Sequence, residues 1–304
     1  MNSGLYTIIG LGELVWDLLP GGPQLGGAPA NFAYYANLLG NHGIIASRVG
    51  TDPLGPHTLR QLEQLGLTTA YIQIDEVHPT GTVLVQVDES GQPDFTITED
   101  VAWDFMEWTS QWQELAFKAD AICFGSMAQR SDISRETIRS FLRATRKDAL
   151  RVFDLNLRQS FYSEEIIDES LRLSQVVKLN HQESLEITEM FGLGGSNDQE
   201  LARGLLQAYN VELVCVTRGA QGSLIVTDTE VVEHPGVRIT IADAVGAGDA
   251  FTATLTHHYL RGAPLNRISQ AANHLGAWIA SQVGATPVIE QSVLKRITGG
   301  METT

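Results

Sequence analysis

The chain has 304 residues, 43% of them hydrophobic, and a formal net charge of −16. That length can bury a large core, as one big α/β domain or two smaller ones. The acidic balance, with no basic run anywhere, excludes a nucleic-acid partner, whose phosphate backbone wants clustered Lys and Arg.

From the N-terminus, Tyr6-Thr7-Ile8-Ile9 enters a strand without a charged segment or a long apolar run. Neither a signal peptide nor a transmembrane helix is therefore expected, and the expected setting is cytoplasmic, away from membranes. Gly10-Leu11-Gly12 follows that strand, but Val15 breaks the dinucleotide fingerprint, and no Walker A sequence is present. Gly26-Gly27-Ala28-Pro29-Ala30-Asn31 reads as a glycine-rich helix start, with Pro29 in the first turn. Gly40 ends that helix before a strand at Ile44-Ile45-Ala46. Between about Thr80 and Thr98, alternation on either side of Glu89-Ser90-Gly91-Gln92-Pro93 predicts a two-stranded hairpin, which Glu13 to Leu18 could extend into a small second sheet.

Short apolar runs at 121–124, 151–154, 176–179 and 213–216 then alternate with amphipathic stretches. This pattern predicts a mostly parallel sheet with helices on both faces and ligands at its carboxyl ends. Cys123 and Cys215 sit in two of those strands without metal-like spacing and read as inert core thiols. His257 and His258 are about 100° apart on a helix, so they share no metal-binding face and read as surface or packing residues.

The chemistry concentrates in Asp243-Ala244-Val245-Gly246-Ala247-Gly248-Asp249. Gly246 and Gly248 let the backbone bend and approach a ligand, so N–H groups at a helix start can face an anion. A carboxylate beside bound phosphate would repel it unless it has another task, and Asp249 fits acceptance of a proton from an attacking hydroxyl.

The two glycine clusters resemble the N- and C-terminal signatures of the PfkB (ribokinase-like) carbohydrate kinases, GG-x-x-x-N-x-A and D-T-x-G-A-G-D, with Ala244 where the family usually has Thr. The likeness runs from about Ile8 to about Pro287. It implies a three-layer α/β/α sandwich formed by one domain over 1–304, with a β-sheet lid from about 12–26 and 78–102. It also implies ATP and Mg2+ as cofactors, with K+ beside the anion turn near Asp243 and residues 283–286.

By the same resemblance, Asp17, Gly26, Gly27 and Asn31 hold the sugar, and Gly246, Ala247 and Gly248 form the anion hole around the base Asp249. Asp154-Leu155-Asn156-Leu157-Arg158 resembles the family's D-P-N-x-R segment, with Arg158 neutralising the transferring phosphate. Asn180 and Glu183 match N-x-x-E, associated with magnesium and phosphate, Glu183 acting through water; on spacing alone they could equally cap a helix. Thr217, Gly219 and Gly222 resemble the loop beside ATP, and Asn273 falls where family members approach the adenine.

From Met1 to Phe117 the only Lys or Arg residues are Arg48 and Arg60, so the sugar-binding half is poor in cations. Asp17, Asn31, Glu13 and Asp100 suit a neutral polyol better than a phosphosugar or sugar acid. The GGAPAN form with Asp154-x-Asn156-x-Arg158 is most similar to fructokinases, and the expected reaction is phosphorylation of D-fructose at its 6-hydroxyl. Ribose, a nucleoside or 2-keto-3-deoxygluconate are the alternative substrates, and a catalytically retired binding protein the alternative class. Val83, Val85 and Val87 share one face of the hairpin, with Leu84 on the other. A lid needs one face toward a polar sugar, so the opposite, valine-rich face is expected to lie in water unless covered; a second lid is its simplest cover, and a homodimer through the lids is expected.

Overall fold

The structure is a computed structural model, and it describes residues 4–19, 21–87, 93–193, 195 and 197–299. The chain opens with β1 (Thr7–Leu11), β2 (Val15–Leu19), β3 (Gly22–Gly26), α1 (Ala28–Leu38), β4 (His42–Gly50), α2 (Leu54–Gln64) and β5 (Ile72–Asp75). The hairpin β6 (Gly81–Val87) and β7 (Pro93–Ile97) follows, then α3 (Ser110–Lys118), β8 (Ala121–Phe124), α4 (Asp132–Ala144), β9 (Leu150–Asp154) and α5 (Glu164–Arg172). Next come β10 (Val176–Asn180), α6 (His181–Phe191), α7 (Asp198–Tyr209), β11 (Leu213–Thr217), β12 (Ser223–Val226) and β13 (Val231–His234). Three helices close the chain: α8 (Ala247–Leu260), α9 (Leu265–Ala280) and α10 (Gln291–Thr298).

Nine strands form one sheet in the order β13-β12-β11-β10-β9-β8-β1-β4-β5, parallel from β11 to β5, with β12 and β13 antiparallel at one edge. Successive side chains point to opposite faces, and both faces are apolar. Ile9, Ile122 and Val214 pack on the side that receives Trp112, Phe141, Ile167 and Leu205 from α3, α4, α5 and α7. Their neighbours Ile8, Ala121 and Leu213 pack with Phe32, Leu62, Phe251, Leu275 and Leu294 from α1, α2, α8, α9 and α10. Three layers result, as the alternation of apolar runs and amphipathic stretches predicts.

Strand order reverses between β1 and β8, because the chain first moves outward through β4 and β5 and then returns to build β8 to β11 on the other side. Crevices at such switch points, beyond the carboxyl ends of the strands, are where open α/β sheets bind ligands.

The second sheet has the order β3-β2-β6-β7, which is the hairpin extended by the segment after β1. Here one expectation is corrected. Val83 pairs with Asp17 across β2 and β6 and so shares its face. Val83 is 7% exposed and buried in a cluster with Val15, Ile97 and Trp103 of its own chain. Alternation tells which residues share a face, but tertiary packing decides which face turns inward. Leu84, on the opposite face beside Leu18, is the exposed residue; the side chains of Val85 and Val87 lie outside the described residues. Among the described residues no helix is long and apolar enough to cross a membrane.

Candidate active site

A narrow cleft lies at the switch point, lined by Glu13 after β1, Gly125 after β8, Asp154 and Asn156 from the end of β9, and Asp249 and Thr252 of α8. The glycine-rich starts of α1 and α8 converge on it. Gly246 caps α8 with a left-handed backbone, φ 77°, and a Cβ there would stand 2.5 Å from the Ala285 carbonyl oxygen, so only glycine fits. No side chain caps this helix, and the first N–H groups of a helix have no partner within it. The Ala247 N–H turns back to the Ala244 carbonyl at 3.3 Å. That leaves the Gly248 and Asp249 amides as the better-placed donors for an anion.

Asp249 accepts a 2.8 Å hydrogen bond from the Asn31 amide nitrogen across 218 residues of sequence. This contact joins the N-terminal signature to the C-terminal one. Burial pushes the Asp249 carboxyl up to about 6; the Asn31 bond and the cations of Lys178 and Arg158 oppose the rise, and Asp154 adds to it.

Lys178 was not apparent as a site residue in the sequence, where it looks like filler in an apolar strand. It is buried, its Nζ lies 3.0 Å from Asp154 Oδ1, and a Cβ on Gly248 would be 3.3 Å from that same Nζ. Burial works against its charge, but the Asp154 and Glu183 carboxylates outweigh it and hold the ammonium firmly protonated. Thr252 donates to the other oxygen of Asp154 at 2.8 Å. The anion turn thus rests on a fixed positive charge, bridged by Asp154 to the first turns of α8.

On the side expected to hold the sugar, Gly27 caps α1 with φ 116°, and a Cβ there would meet the Glu13 carbonyl at 2.6 Å. The Asp17 carboxylate lies 3.0 Å from where a Gly26 Cβ would stand, and it accepts no hydrogen bond among the described residues. Burial raises its pKa above the usual carboxylate value. One cation from beyond residue 117 does reach this region: Arg130 packs over Trp103 and Phe161, 4.1 and 4.6 Å from the ring centres. Asp104 neutralises it through Nε at 2.8 Å and Nη2 at 2.7 Å.

Arg158 is exposed, donates to the Leu157 carbonyl and joins no salt bridge among the described residues, while its charge stabilises the Asp249 and Glu13 carboxylates. Asn180 and Glu183 form a reciprocal cap on α6: Asn180 Oδ1 accepts from the Glu183 N–H at 2.9 Å, and Glu183 Oε2 from the Asn180 N–H at 2.8 Å. The second oxygen of Glu183 accepts from the Leu157 N–H at 2.9 Å. It thereby ties α6 to the loop carrying Arg158, and both oxygens are already engaged.

Thr217 pairs with Asn180 at the ends of adjacent strands, and Gly219 and Gly222 shape the turn into the antiparallel β12. Asn273 is 7% exposed and spends its amide nitrogen on Ser223 Oγ and the Ser269 carbonyl. Asp243 accepts from the Val245 and Gly284 N–H groups and so binds the anion turn to the 283–286 loop. Tyr35 of α1 donates to the Ala285 carbonyl of the same loop. Among the described residues there is no group of three or more His, Cys, Asp or Glu able to hold a metal. His257 and His258 are packing residues, 4% and 5% exposed, bonded to Asn41 and the Ile297 carbonyl.

The family model of the pfkB family carbohydrate kinases matches residues 22–292. A fructokinase of Escherichia coli is 32% identical over 264 residues, 81% of each chain. Among solved structures, the uncharacterized sugar kinase PH1459 from Pyrococcus horikoshii in complex with ATP superposes with TM-score 0.77 at 28% identity, covering 93% of this chain and 94% of that one. A fructokinase from Vibrio cholerae O395, bound to fructose, ADP and calcium, shares the fold with TM-score 0.80 at 24% identity, covering 98% and 100%. With its two glycine-rich helix starts joined at one carboxylate and a family model spanning most of its length, the chain belongs to the pfkB family of carbohydrate kinases.

Proposed function

We propose that this carbohydrate kinase transfers the γ-phosphate of ATP to the 6-hydroxyl of D-fructose. The observation that carries the reading is the 2.8 Å bond from Asn31 to Asp249, which sets the sugar-side helix against a carboxylate at an anion-binding helix start. Asp249 takes the hydroxyl proton as oxygen attacks the γ-phosphorus. The amides of Gly248 and Asp249, with Lys178 behind them, stabilise the growing negative charge, and Arg158 approaches from the opposite loop. Fructose rather than an anionic sugar is supported by charge: Arg130, the cation beside the lid, is already neutralised by Asp104. The E. coli relative bears the same activity in its name.

A magnesium ion bound with the nucleotide would supply charge neutralisation across the phosphates. The oxygen-rich set of Asn180 and Glu183 fits a hard cation that keeps its water shell, since both Glu183 oxygens are held by backbone amides. Potassium belongs to the same proposal, beside Asp243. A homodimer through the lids would use the face of Leu84 and Leu18.

A coupled assay of ADP release tests the substrate over fructose, ribose, inosine, fructose 6-phosphate and 2-keto-3-deoxygluconate. Fructose should give the highest kcat/KM. A comparable value for either anion would overturn the charge argument, and no sugar-dependent ADP at all would favour the retired binding protein.

A further inference from the structure

Glu13 counts among the polar groups of the sugar-binding half, but the mechanism above gives this buried acid no contact of its own. It follows β1 at the switch point and is 2% exposed. Its Oε2 is fully buried without a hydrogen-bond partner among the described residues, although the side chain lines the cleft beside Asp249, Asp154 and Asn156. The nearby N–H groups of Glu13 itself and of Ala28, the first residue of α1, favour its ionised form. Burial, the largest influence, and the nearby Asp249 raise its pKa to about 7.

A buried carboxyl oxygen with no partner is costly. A fold can keep such an atom at a wall where a ligand brings the missing hydrogen bond. Near Asp249 this cleft would receive the acceptor sugar and the transferring phosphate; a buried carboxyl repels the phosphate, whereas it can pair with a sugar hydroxyl in either protonation state.

We propose that Glu13 is a specificity-determining residue whose Oε2 hydrogen-bonds a hydroxyl of the bound sugar other than the one phosphorylated. The inference rests on the sugar-kinase reading but not on the identity of the sugar. Glu13 would then discriminate between sugars that present a hydroxyl at that position and those that lack it, because a missing hydroxyl leaves the buried acid unpaired again.

The test compares wild type with Glu13→Gln and Glu13→Met on fructose and its 3-deoxy and 4-deoxy analogues, measuring KM and kcat for each sugar and KM for ATP. Wild-type turnover of fructose is measured first. If another neutral sugar is the substrate, its own monodeoxy analogues replace these, so an error about fructose is separated from an error about Glu13.

The expected result is a roughly 10- to 100-fold fall in kcat/KM for the sugar in Glu13→Met, the size of one hydrogen bond to a charged group, with the ATP KM unchanged. At one hydroxyl the deoxy penalty of the wild type should shrink to under about 2-fold in Glu13→Met, and change at least about 3-fold in Glu13→Gln. Folded variants with wild-type sugar kinetics and unchanged deoxy penalties would overturn the proposal, as would losses that simply add. Should Glu13→Met fail to fold, the isosteric Glu13→Gln decides alone by the same criterion.

Discussion

At the residue scale, Asp249 carries opposing demands. Its carboxyl is raised from 3.8 to about 6, so the base form is lost as pH falls through about 6, and kcat/KM should drop tenfold per pH unit below that point. A pH–rate profile flat between pH 5 and 8 would contradict this. The stability sign is the reverse of the common one. A folded pKa above the unfolded value means the fold prefers the protonated acid, a contribution present below pH 3.8 and lost as pH rises through about 6. At pH 7.5 the ionised Asp249 is therefore a burden, and Asp249→Asn should raise stability by on the order of 1–3 kcal/mol in urea unfolding. Asp249 and Asn31 were visible in the sequence because each sits in a turn richer in glycine than an ordinary helix start requires. Lys178 and Thr252 were not: they meet Asp154 across 24 and 98 residues, and nothing local marks them.

At the scale of elements, the start of α8 hangs on the Lys178–Asp154–Thr252 bridge. Removing one partner of a buried ion pair leaves the other uncompensated, and Lys178→Met should cost roughly 3–5 kcal/mol. Thr252→Ala removes one hydrogen bond to a carboxylate and should cost about 1.5–3 kcal/mol. Chemical denaturation checks both, and a loss under about 1 kcal/mol for Lys178→Met would show that the pair is not what holds the turn. Gly246→Ala should abolish phosphoryl transfer, because its Cβ would collide with the Ala285 oxygen in a backbone conformation alanine rarely takes. At this scale Asn180 and Glu183 carry a motif with two compatible readings, a helix cap and a contact to hydrated magnesium through water. The N-x-x-E spacing is also that of a helix cap, and the structure shows the cap.

At the scale of the whole molecule, a mostly parallel sheet with helices on both faces and a site at its carboxyl ends was legible in the alternation of apolar runs; the strand order, and with it the switch point between β1 and β8, was not, because it is set by non-local pairing. The inward face of the second sheet was not legible either, since strand periodicity is silent on which side meets the core, and Val83 proved to belong to it. If the lids join two chains through the opposite face, Leu84→Asp should turn a dimer into a monomer in light scattering at micromolar concentration. A wild type that is already monomeric would contradict the shared lid.

In the proposed reaction a sugar hydroxyl, deprotonated by Asp249, attacks ATP in this cleft. Initial rates of ADP release with and without D-fructose, for the wild type and Asp249→Asn, test it most directly. Release should depend on fructose, yield fructose 6-phosphate, and fall by about 10²- to 10⁴-fold in the variant. ADP release indifferent to sugar, or a variant keeping more than about a tenth of the wild-type rate, would contradict it.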